Sequence, residues 1–201
     1  MADQLLTGTT LVEKESRSAG DIPIGGVTEW DDTFANIPDN FRLCDGSTIT
    51  DPKSSYDGSA VPNYNTQYYT ISGAGIQTRQ PDENDVVHSE INTDLTLTGG
   101  SLYLVVPVEL PHGATITGAV MYSSVSTETW SLKSAVTSDT SDVVTHATAA
   151  LNTEDTTITT GTVDNSTRKY FFVTQAMDAG DVMRGALITY TPRLKFIIRI
   201  K

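Results

Sequence analysis

The chain has one cysteine, Cys44, so no internal disulfide can form and the fold is held by packing and hydrogen bonds alone, as suits a protein made in a reducing cytosol. Basic residues are scarce: 13 Lys and Arg stand against 25 Asp and Glu, a net charge of −12. Such a surface repels phosphate backbones and anionic lipid, which argues against nucleic-acid binding. No apolar run approaches the ~18 residues of a membrane span. The start MADQLLTGTT lacks a basic segment followed by an apolar core. The expectation is therefore neither secretion by signal peptide nor membrane insertion.

Catalytic motifs are missing too. There is no Walker loop, no Gly-x-Ser-x-Gly, no His-Glu-x-x-His and no Cys-x-x-Cys. His88, His112 and His146 are far apart in sequence, each in a turn-like context, and read as exposed loop residues. Cys44 precedes a tight turn, where a small buried residue is wanted, and reads as structural. Glu29, Asp31 and Asp32 flank Trp30, a pairing that can grip a sugar ring, but glycoside hydrolysis needs two carboxyls at a defined separation on rigid elements. Asp82-x-Asn84-Asp85 and Asp178-x-Gly180-Asp181 offer oxygen ligands near turns without matching a helix-loop-helix calcium loop, so bound calcium is left open. The reading expects no enzyme, no cofactor and no catalytic or metal-ligating residue.

What the chain does have is Thr, Ser, Asp and Gly between alternating apolar residues, the pattern of short strands joined by turns. Residues 1–20 are polar, with few apolar anchors, and read as an N-terminal arm that orders against a neighbour. Residues 21–70 are turn-rich: Gly25-Gly26 leads into a strand ending at Trp30, and Pro38-Asp39-Asn40 and Asp45-Gly46 signal further turns. Trp30 and Phe41 are expected to pack on each other. Residues 71–92, with Gly73, Gly75, Pro81 and an acidic run, read as a linker.

From residue 93 to 201 the pattern is β. Leu102, Leu104, Val106, Val108 and Leu110 keep one face apolar, and Ile116, Val120 and Tyr122 continue the alternation. Tyr170-Phe171-Phe172-Val173 reads as a strand buried on both faces. Trp130-x-Leu132 and Val143-Val144 are weaker strand candidates, and Ala147 to Leu151 is at most a short helical turn. Leu194, Phe196, Ile198 and Ile200 alternate with Arg193, Lys195 and Arg199. About eight strands spaced by turns predict an all-β fold: a small turn-rich module followed by a β-sandwich, jelly-roll-like. The last nine residues carry four basic groups and no acid, which leaves −16 on residues 1–192. Arg193, Lys195 and Arg199 are then either protection for an edge strand or a strip that guides assembly onto an acidic neighbour.

The skeleton Pro23, Gly25, Trp30, Pro38, Phe41, Leu43, Cys44, Asp45, Gly46 and Pro62-Asn63 resembles the collar module of phage tail fibres. The segments Leu110-Pro111-x-Gly113-Ala114-x-Ile116, Lys169-Tyr170-Phe171-Phe172 and Gly185-Ala186-Leu187-Ile188-Thr189-Tyr190 are similar to sandwich modules of phage fibre and head-decoration proteins. The resemblance implies a virion structural protein, made in the host cytoplasm: a tail fibre, spike, head fibre or capsid decoration subunit. Its implied partners are itself as a homotrimer, other capsid or tail proteins, and a host surface glycan or receptor for host attachment. The alternative is a cellular carbohydrate-binding or adhesin domain, against which the lack of a signal peptide counts.

Overall fold

The computed structural model describes residues 23–30, 37, 39–79, 86–89, 91–139 and 141–201. The arm expected over residues 1–20, together with Pro38, Asp31, Asp32, Asp82, Asn84 and Asp85, lies outside the described residues. Among those described the chain is all-β, with thirteen strands, one 3-10 turn at Gly73–Gly75 and no α-helix.

Two units form. The first takes the described residues up to Asn65 together with Leu194–Lys201; the second is Thr66–Arg193. This corrects the expected boundaries in two places. The described residues between 71 and 92 carry sandwich strands where a linker is expected, and the last residues leave the sandwich for the first unit.

The first unit is a three-stranded antiparallel sheet of β1 (Val27–Trp30), β2 (Phe41–Leu43) and β13 (Lys195–Arg199), with β13 in the middle. The expected alternation along the last strand is incomplete, since Ile197, on the face of Lys195 and Arg199, is 1% exposed, and the core that Ile198 and Ile200 face is a different one. Ile198 and Ile200 pack with Cys44, Ile49 and Val61, and Tyr56 and Phe196 lie against them. Asn65, 6% exposed, fastens the centre: its amide donates to the Cys44 and Phe196 carbonyls at 2.9 and 3.3 Å and its oxygen accepts the Phe196 N–H at 2.9 Å. Gly25 is required by its turn. Its φ is +81°, its N–H reaches the Arg199 carbonyl at 2.8 Å, and a Cβ there would sit 2.5 Å from the Tyr56 hydroxyl. The expected Trp30–Phe41 contact does not form. Trp30 pairs with Lys195 and Phe41 with Arg199, so the two aromatics lie on outer strands at opposite ends of the central one.

The second unit is a β-sandwich. One sheet runs β10 (Val143–Ala150), β9 (Thr129–Val136), β11 (Arg168–Thr174), β7 (Leu104–Val108), β4 (Gln77–Thr78). The other runs β3 (Gln67–Ser72), β12 (Val182–Thr191), β6 (Leu95–Leu97), β5 (Val86–His88), with β8 (Thr115–Ser123) also paired to β12. Period-two alternation supplies the core from both inner faces. Leu104, Val106 and Val108 come from β7, Trp130 and Leu132 from β9, Tyr170 and Phe172 from β11, and Met183, Ala186 and Ile188 from β12. Trp130 meets Phe172 edge-on at 5.6 Å, and its indole N–H is held by the Ala150 and Thr153 carbonyls.

Three local expectations change. Strand β11 is buried on one face only, since Phe171 and Val173 remain half-buried. Residues 147–150 are extended within β10, where pairing to β9 overrides a weak helical preference. In the supposed linker, Gly73 is wedged against backbone, since a Cβ there would lie 2.6 Å from the Met183 and Thr93 carbonyls, and Ile76 is fully buried.

Because β13 is the middle strand of its sheet, deleting Leu194–Lys201 should unfold the first unit. The sandwich, whose strands all lie within Thr66–Arg193, should survive. In a thermal scan the truncated chain should keep the sandwich transition and lose the other. Loss of both would show that the sandwich cannot stand without the first unit.

Candidate functional site

In an antiparallel sheet, residues paired in register share a face. Strand β12 is paired on both sides, so its register with β3 and β8 lays out the outer surface of that sheet as three rungs. The first is Tyr68, Thr189 and Gly118; the second is Thr70, Leu187 and Val120; the third is Ser72, Gly185 and Tyr122. The intervening residues Ile71, Ala186, Met121, Ile188 and Ala119 point into the core. Tyr68 is 64% exposed and Tyr122 41%, and they occupy diagonally opposite corners.

The other diagonal is polar. Ser72 holds one corner. At the other, Gly118 has no side chain, and the Glu154 carboxylate fills the space, with Oε1 2.5 Å from where a Cβ on Gly118 would be. Glu154 is delivered there because the segment following β10 runs along β8, with Ala119 and Asp155 exchanging backbone hydrogen bonds at 3.0 and 2.9 Å. At the centre, Leu187 is half-buried and Val120 is 3% exposed. The surface thus carries two aromatic rings, one carboxylate and the hydroxyls of Thr70, Ser72 and Thr189 around an apolar floor.

The other sheet holds a buried polar chain. His146 on β10 is 3% exposed; its Nδ1 lies 2.9 Å from the Thr159 carbonyl and its Nε2 2.8 Å from the Ser134 hydroxyl. A carbonyl can only accept, so Nδ1 carries the proton and Nε2 accepts from Ser134. The Ser134 oxygen in turn accepts the Arg168 Nε–H at 2.8 Å, and Arg168 pairs with Asp142 at 3.0 Å. Ser134 thus donates to His146 and accepts from Arg168. His146 is therefore not the exposed loop residue that its sequence context implied. A Ser–His pair of this kind could suggest a nucleophile, but Ser134 is fully buried and its hydroxyl proton is already committed to His146. Beside Arg168, an open depression of about 390 Å³ is bordered by Glu109, Asn165 and Lys169.

The remaining histidines are peripheral. His88 is exposed on β5, and His112 Nδ1 accepts the Asn165 N–H at 3.1 Å and lies 3.7 Å from Asp164. Hydrogen bonds from Ser166 and Thr167 lower the Asp164 carboxyl to about 2. Asp178 and Asp181 are linked through the Asp178 N–H at 2.9 Å, and no group of three or more His, Cys, Asp or Glu able to hold a metal occurs among the described residues.

The collar-motif residues fall together in the first unit. Pro23 opens the Gly25 turn, its carbonyl accepting the Gly26 N–H, while Trp30 ends β1 and Phe41 begins β2. Cys44 is fully buried, and burial, then the neighbouring Asp45 charge, pushes its thiol up to about 11, so it stays protonated at neutral pH. Asp45 accepts the Ser47 N–H at 2.9 Å around Gly46, whose φ is +84°. Of the assembly candidates, Lys195 and Arg199 share one face of β13. Arg193 is in the other unit, its chain packed over Gly113. The strand that carries them is central, so edge protection is not their role. Sequence reasoning did not find Tyr68 or Glu154; Tyr68-Tyr69 gave a β-compatible pair, but nothing local ties either residue to β8.

No family model and no curated protein matches the chain. Among solved structures, the chain is similar to the C-terminal carbohydrate-binding module of LamC from Zobellia galactanivorans, with 14% identity and a TM-score of 0.34 over 61% of this chain and 99% of that one. It is also similar to a low-affinity xylan-binding module from Roseburia intestinalis (12%, TM-score 0.37, covering 63% and 96%) and to the xylan-binding module CBM15 (14%, TM-score 0.35, covering 62% and 96%). These likenesses are too slight to carry a ligand from one protein to another.

The buried chain around His146 makes a stability prediction. His146→Ala leaves the proton of the buried Ser134 hydroxyl without its acceptor, at a cost of about 1–3 kcal/mol, while the carbonyl of exposed Thr159 can turn to water. Urea unfolding should show the midpoint falling with little change in slope. An unchanged midpoint would mean that water or another acceptor satisfies the Ser134 proton.

Proposed function

We propose that the protein is a glycan-binding module, with the sugar held on the outer face of β3, β12 and β8 and no covalent step following. The observation that carries this reading is the placement of two exposed tyrosines, a carboxylate and several hydroxyls on one side of a rigid sheet. A pyranose offers a face of C–H groups that stacks on an aromatic ring and a rim of hydroxyls that need donors and acceptors. This surface supplies both. Strands hold such groups more firmly than loops do, which reduces the ordering entropy lost on binding.

The test is a mixed array of neutral, acidic and branched glycans, probed with the full chain and with a Tyr68→Ala/Tyr122→Ala double variant. The wild type should give a defined set of signals, and the double variant should lose them while unfolding within about 0.5 kcal/mol of wild type, because both rings are on the surface. Signals that survive the double substitution would place the sugar elsewhere.

A second reading is supported by the gathering of Pro23, Gly25, Trp30, Phe41, Cys44, Asp45 and Gly46 into one unit that also uses the last strand. In this reading the chain is a virion subunit, a tail fibre, spike or capsid decoration, and the glycan is on the host surface, so the two readings can hold together. Self-association as a homotrimer then follows, with Arg193, Lys195 and Arg199 as candidates for contact with an acidic neighbour. Light scattering at micromolar concentration should give three times 21.6 kDa. A clean monomer counts against the fibre assignment and leaves glycan binding untouched.

A further inference from the structure

We infer that the β3-β12-β8 face recognises an internal stretch of an extended, neutral polysaccharide, rather than a terminal sugar or an acidic polymer. This rests on the glycan-binding reading and goes further, to the shape and charge of the ligand. Tyr68 and Tyr122 are separated by two strand spacings and by the four residue steps of β12 from Thr189 to Gly185. With strands about 4.8 Å apart and a rise of about 3.3 Å per residue, their Cα atoms stand roughly 16 Å apart. A single pyranose can lie on one ring or the other but cannot touch both. A chain of several linked rings can touch both at once, crossing the strands on the diagonal.

The floor between the rings supports a continuous chain. Gly185 presents no side chain, Val120 is buried and Leu187 is half-buried. No side chain from the nine positions of the three rungs is larger than Leu187 apart from the two tyrosines themselves. The surface is thus a bench with a ring at each end. A site for a chain end would need a wall to stop the sugar, and these rungs do not build one. Two tethered ring contacts also act as linked sites, so filling the second adds affinity without the cost of a new encounter.

Charge decides the second half of the inference. None of the nine positions is ionisable except through the tyrosine hydroxyls, and Glu154 adds a carboxylate at the Gly118 corner. The nearby cation, Arg184, already donates to the Ser123 carbonyl at 3.0 Å. A uronate or sulfated chain would meet the Glu154 carboxylate and a protein of net charge −12, with the Arg184 guanidinium at one end of the bench as the nearby attraction. A neutral chain meets a hydrogen-bond acceptor for its hydroxyls.

Titration calorimetry on the full chain, with linear gluco-, xylo- and manno-oligosaccharides of graded length and with polygalacturonate, tests this. At least one neutral series should tighten with length until both rings are covered and then level off, while polygalacturonate and free monosaccharides bind at least roughly tenfold more weakly than the longest member. Tyr68→Ala and Tyr122→Ala should each abolish the gain from length yet keep the weak affinity of the short members, because one ring remains. Equal affinity for a monosaccharide and a long oligomer, or tighter binding of polygalacturonate, overturns the inference and leaves the glycan reading standing. Absence of binding to every probe here and to every glycan of the array overturns both.

Discussion

The structure of the second unit depends on one strand being hydrogen-bonded along both edges. Strand β12 pairs with β8 along one edge and with β3, then briefly β6 at Val182 and Met183, along the other. Its inner residues, Met183, Ala186 and Ile188, are core; its outer residues, Gly185, Leu187 and Thr189, are the middle column of the candidate binding face. A one-residue slip against either neighbour would turn every side chain to the opposite face. The same pairing therefore decides what is buried and what is offered to a ligand. Gly185 shows how tightly this is held: at φ +148°, a Cβ there would approach the Ile71 carbonyl to 2.2 Å, so the β3–β12 contact tolerates only hydrogen at that position.

The first unit obeys a different constraint. Its middle strand comes from the far end of the chain, so β1 and β2 have no common partner until the last residues are made. Segments so far apart in sequence close a long loop before they gain any contact, which is slow unless the intervening chain folds first. The sandwich provides that compaction, because β3 begins where β12 ends: Gln67 pairs with Tyr190. An inserted domain whose entry and exit lie side by side leaves the host sheet little entropy to lose. Asn65, satisfied on three sides within the first unit, marks the residue before that insertion.

The buried Arg168–Ser134–His146–Thr159 chain illustrates how polar groups enter a core without chemistry following. The Ser134 hydroxyl, the His146 ring and the Arg168 Nε–H are joined donor to acceptor, and the geometry assigns the histidine tautomer. Satisfied in this way, the network fixes how β9, β10 and β11 meet rather than presenting a reactive atom. The groups suited to recognition are instead on the outside of the other sheet.

Much of the architecture was legible in the chain. The all-β class, the one-sided strand from Leu104 to Val108 and the turns at Gly25 and Gly46 follow from period-two patterning and glycine placement, which are local properties. The single face expected of Ile116, Val120 and Tyr122 does not form, because a register shift against β12 leaves Ile116 in the core and turns Val120 and Tyr122 outward. What each alternating face would meet was not local. The apolar side of the last strand suits either unit, and only the pairing of Lys195–Arg199 with β1 and β2 decided it. Nor could spacing show that Tyr68, Glu154 and Tyr122 share a surface, since the first and last are brought together by register with a third strand some sixty residues further on. Residue pattern determines which way a side chain points along its own strand. Which strands lie side by side is decided by long-range hydrogen bonding, and in this protein the candidate site exists only across such neighbours.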